Sequence, residues 1–120
     1  MKNKIKAMNT EKIKTLEKLL DTIEIVENAR SIDGLTAEER VQLEKASVSL
    51  RNVERSIIRI KTNELVDTLT EDAKALDYLA DEINLSAQKL AGVAKAIEKA
   101  SNVVKAFVKI AAKAISAGLV

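Results

Sequence analysis

Residues 73–115 read AKALDYLADEINLSAQKLAGVAKAIEKASNVVKAFVKIAAKAI, and their apolar positions keep one helical phase throughout. The series is Ala73, Leu76, Ala80, Ile83, Ala87, Leu90, Ala94, Ile97, Ser101, Val104, Val108, Ala111 and Ile115, in alternating steps of three and four. Such spacing sets every member on one side of an α-helix. Unbroken and counted from Thr70, this is a helix of about 46 residues and about 70 Å. The fold turns on whether that helix breaks.

Two shorter helices precede it. Thr10 before Glu11 reads as an N-cap, followed by a stripe of Ile13, Leu16, Leu20 and Ile23, widened by Leu19 and Val26 and ending near Ser31. Ser31-Ile32-Asp33-Gly34 is the clearest break in the chain, because glycine accepts the positive φ of a helix C-terminus. Thr36-Ala37-Glu38-Glu39 is then a capping box: the Thr36 hydroxyl accepts from the Glu39 amide, and the Glu39 side chain accepts from the Thr36 amide. The second helix carries a seam of Leu43, Ala46, Leu50, Val53, Ile57 and Ile60. Continued in that register, the seam meets Glu64 and Asp67 and fails. This predicts a turn at about Asp67 to Thr70, with Thr68 or Thr70 as the next N-cap. A hairpin there brings Arg59 near Asp77 and Arg55 near Asp81, giving the Arg51, Arg55, Arg59 stripe an internal role in place of phosphate binding.

At about 30 and 48 Å, the first two helices leave Ser101 to Val120 overhanging. Three arrangements cover this segment. The chain breaks at Asn84-Leu85-Ser86 or at Gly92 and folds back, with Ser86 capping a fourth helix; it stays straight and forms a symmetric homodimer; or it keeps the overhang for lipid or another protein. The continuous phase argues against a break, and the rarity of large apolar patches on soluble monomers argues for one. The expected fold is all-α, one domain over residues 1–120. It is an antiparallel bundle of three long helices, or a four-helix bundle if the C-terminal helix is broken into two. Residues 1–9 are expected to form a flexible basic N-terminus and 101–120 an amphipathic C-terminal segment.

Composition narrows the chemistry. Proline is absent, glycine occurs three times, and Tyr78 and Phe107 are the only aromatics, so the turn punctuation of an all-β chain is missing. Without histidine or cysteine the chain lacks the usual general base, the thiolate nucleophile and the soft metal ligands. We therefore assign no catalytic residue, no cofactor and no metal site, and expect a protein that is not an enzyme. Asp72, Asp77, Asp81 and Glu82, with Glu64 and Asp67 nearby, lack the loop spacing of a calcium site and the Glu-x-x-His of di-iron bundles. They read as solvated helix surface. No run approaches the 18 or so apolar residues of a spanning helix, and no apolar stretch follows the basic start, so the default expectation is cytoplasmic, with leaderless secretion or a peripheral membrane location as the alternatives.

By residue count, Met1 to Lys14 carries about +4, Thr15 to Asn84 about −7 and Leu85 to Val120 about +5. Basic ends around an acidic middle suit internal pairing better than nucleic-acid binding, whose aromatic and glycine-rich cues are missing. Within the last block, Lys95, Lys99, Lys105, Lys109 and Lys113 fall in an arc of about 120°, opposite the apolar face. The plainest reading is the wet face of the most hydrophobic helix of a bundle. The functional reading makes Val103, Val104, Phe107, Val108, Ile110 and Ile115 the surface for self-association or for another helical protein. The alternative puts those five lysines on an anionic membrane surface while the apolar face enters the interface, in the manner of cationic amphipathic peptides.

Overall fold

The structure, a computed structural model, describes the backbone of residues 2–118 and the side chains of residues 8–118. Four α-helices follow one another: α1 Lys2–Ala29, α2 Ala37–Arg59, α3 Asn63–Ser86 and α4 Ala91–Ser116, the last entered through a 3₁₀ turn at Gln88–Leu90. Each helix packs on its neighbours in sequence, and α4 closes onto α1. The result is an up-down-up-down four-helix bundle. Its long axis is 53 Å, too short for a continuous helix of about 70 Å.

The long register does break, without glycine or proline. Ala87 leaves the helix at φ −139° and ψ 75°. The Ser86 hydroxyl donates back to the Glu82 carbonyl at 2.7 Å, and the Leu90 amide bonds the Ala87 carbonyl at 2.8 Å. Ser86 thus closes α3 and does not cap the next helix, and Gly92 lies within the first turn of α4. The phase persists because both arms of the hairpin face one core. Leu76, Ile83, Leu90, Ile97 and Val104 recur every seven residues and are fully buried, beside a second series of Ala73, Ala80, Ala87, Ala94 and Ser101. Small residues permit close approach: the buried Ser101 hydroxyl on α4 donates to the Ala73 carbonyl on α3 at 2.9 Å.

α1 begins at Lys2, eight residues ahead of the expected Thr10 cap, so residues 2–9 are helical in place of a flexible arm, and Met8 is buried in the core. Met1 of that expected arm and Leu119 and Val120 of the expected C-terminal segment lie outside the described residues. The stripe also differs from the expected one: Ile13 and Leu20 are exposed, while Thr15 and Thr22 are buried beside Leu19, Ile23, Val26 and Ala29. Hydroxyls can occupy this face because each donates to a carbonyl one turn back, Thr15 to Glu11 and Thr22 to Lys18.

α2 starts at the capping box as its sequence requires. The Glu39 amide donates to the Thr36 hydroxyl at 3.0 Å, and the Thr36 amide donates to the Glu39 carboxylate at 2.8 Å. Gly34 just before it has φ +76°. All six residues of the α2 seam are buried. The turn that follows is at Ile60–Thr62, earlier than Asp67–Thr70, with Thr62 accepting from the Leu65 amide. Thr68 and Thr70 lie inside α3 and donate to carbonyls of their own helix. The earlier turn changes the cross-helix partners. Ser56 on α2 meets Asp72, and Asp77 pairs with Lys105 on α4 in place of Arg59, while the expected Arg55–Asp81 bridge does not form.

Candidate functional site

α4 carries the residues that the sequence singled out, and the bundle divides them. Val104 and Phe107 are 0% exposed, while Val103, Val108, Ile110 and Ile115 are half-buried. Val108, Ile110 and Ile115 pack against the same core. The fold-back of α4 packs this face against the chain's own helices and leaves Val103, Val108, Ile110 and Ile115 partly exposed. All five lysines point outward and are exposed. Lys105 forms an ion pair with Asp77, and among the described residues Lys95, Lys99, Lys109 and Lys113 have no ion-pair partner. Burial works to raise the Asp77 carboxyl, but the hydrogen bond of Lys105, the nearby Ser101 hydroxyl and the Lys105 charge together outweigh it and hold the group below its usual range. Asp72 shows the opposite balance, raised by burial despite the hydrogen bond from Ser56.

Besides exposed apolar residues on α1 such as Ile13 and Leu20, an apolar surface stays open on the outer side of α2 and α3. Val41 and Val48 stand seven residues apart on α2, each 53% exposed, and Tyr78 and Leu85 stand seven apart on α3, 68% and 88% exposed. Seven residues are close to two turns, so each pair shares a strip of its helix away from the buried seam. Between the helices runs an open groove of about 480 Å³, with Ala75 and the buried Leu79 among its lining residues and Val41, Val48 and Tyr78 along it. Its polar lining is Glu44, Lys45, Ser49 and Glu82. Glu44 is held by Arg30 at 2.9 Å. Lys45 and Glu82 have no ion-pair partner among the described residues.

A clustered apolar surface of this kind is a place for contact with another apolar face. Sequence reasoning missed it, although a signal was present in the second seven-residue series, Val41 with Val48 and Tyr78 with Leu85, off the main seam. Among the described residues no three carboxylates come close enough together to hold a metal ion. No described helix is long and apolar enough to cross a membrane. Comparison with protein-family models, with curated proteins and with solved structures finds no match to this chain.

Proposed function

We propose that this chain is a non-enzymatic helical interaction protein that associates, with itself or with another helical protein, through the outer face of α2 and α3. The observation that carries this reading is the open groove between Val41, Val48 and Tyr78, whose apolar side chains stay in water when the four helices have packed. Tyrosine in such a setting is a favoured anchor, offering a large rigid contact with a polar tip. The C-terminal helix supports the bundle in this reading and is not its binding surface.

The second reading is attachment to an anionic membrane, favoured by the outward lysines Lys95, Lys99, Lys109 and Lys113 that lack ion-pair partners. It relies on headgroup charge alone, at about 1 kcal/mol for each basic residue near the surface, because the apolar face of α4 is in the core. One experiment separates the two. Light scattering and vesicle pelleting are measured on the full chain, on Val48→Asp and on the double charge reversal Lys109→Glu with Lys113→Glu. The interaction reading expects association in solution that Val48→Asp removes with the helical spectrum intact. Pelleting with anionic vesicles that the lysine reversals abolish, with no association in solution, overturns it in favour of the membrane.

A further inference from the structure

We infer that the occupant of the α2–α3 groove is the same groove of a second copy of this chain, related by a two-fold axis parallel to the helices. This rests on the interaction reading above. With Glu44 held by Arg30, the groove keeps one open charge of each sign, Lys45 on α2 and Glu82 on α3. Both line the same groove, so they stand at similar heights along the bundle. A two-fold axis running along the groove lays α2 of one copy over α3 of the other without changing those heights. Lys45 of each copy then faces Glu82 of the other, so two bridges form. A two-fold axis across the helices would instead lay α2 on α2, so that Lys45 faces the other copy's α2 and not its Glu82. A foreign helix carrying charge of a single sign would meet a like charge on one rim, whereas a second copy in the first arrangement sets Lys45 against Glu82 on both rims. Val41, Val48, Tyr78 and Leu85 of both copies leave water together, with Tyr78 near the middle of the contact.

The test is a charge exchange followed by sedimentation equilibrium on the full chain, from micromolar to millimolar. The unaltered chain is expected to dimerise reversibly. Lys45→Glu and Glu82→Lys should each weaken the dimer by about tenfold or more, since each sets two pairs of like charges face to face. Mixing the two variants should restore association, because both pairs of opposite charge re-form in the mixed dimer. The double variant should associate for the same reason. Lysine and glutamate are both good helix formers, so circular dichroism should show every variant folded. A chain that stays monomeric throughout, or a dimer indifferent to the exchange, overturns the inference. If mixing fails to rescue while Val48→Asp still dissociates the dimer, this arrangement falls and the interaction reading stands. If Val48→Asp leaves association intact, both fall.

Discussion

Glu39 ties a sequence motif to a measurable pH dependence. The backbone amide of Thr36 donates to its carboxylate and lowers its pKa from the usual 4.5, against the raising effect of burial. A depressed carboxylate stabilises the folded state above its unfolded value, and that contribution is lost as pH falls through the folded value. Asp77 acts in the same direction through Lys105, whereas Asp72, raised by burial, favours folding less when ionised. Thermal stability should therefore fall on acidification below the ordinary carboxylate range, and Glu39→Gln should flatten that slope in melts run across pH. At neutral pH, Thr36→Ala should cost about 1 kcal/mol through loss of the cap. Phe107→Ala, emptying a fully buried site, should cost about 3 to 5 kcal/mol in denaturant titrations, while Lys113→Ala on the exposed face of the same helix should stay within about 0.5 kcal/mol.

Turns and caps separate what was legible from what was not. The α1–α2 connection could be read directly, because Gly34 and the Thr36–Glu39 box are local devices with side-chain signatures. The α2–α3 turn is harder to place, because Glu64 and Asp67 interrupt the α2 seam and yet are the exposed start of α3. Extending the Ala73 register backward through Leu69 and Val66, both buried, recovers the true helix start, and Thr62 followed by Glu64 in the first turn marks it. The Ala87 break had no such signature, since it uses an alanine at negative φ, with no glycine or proline, and a serine bonded to its own helix. Two glycine substitutions test these elements by thermal melts. Gly34→Ala forces a side chain into φ +76° and should cost about 1 to 2 kcal/mol. Gly92→Ala meets open space at the start of α4 and should stabilise by up to about 1 kcal/mol.

At the scale of the molecule, α4 completes the core. Removing residues 101–120 strips Val104, Phe107, Ala111 and Ala114 from the packed interior and uncovers α1 and α3. A chain ending at Ala100 should lose its cooperative unfolding transition in calorimetry, not persist as a folded three-helix monomer. The sequence by itself determined the helical class, the α2 seam, the first connection and the lysine face of α4, because each follows from local propensity and a 3.6-residue period. The tertiary structure decided which apolar residues are hidden. One heptad phase serves equally for a straight helix and for a hairpin whose arms share a core, so periodicity could not choose between them. Folding back put Phe107 inside, while Val41, Val48, Tyr78 and Leu85 stay exposed on the outer side of α2 and α3.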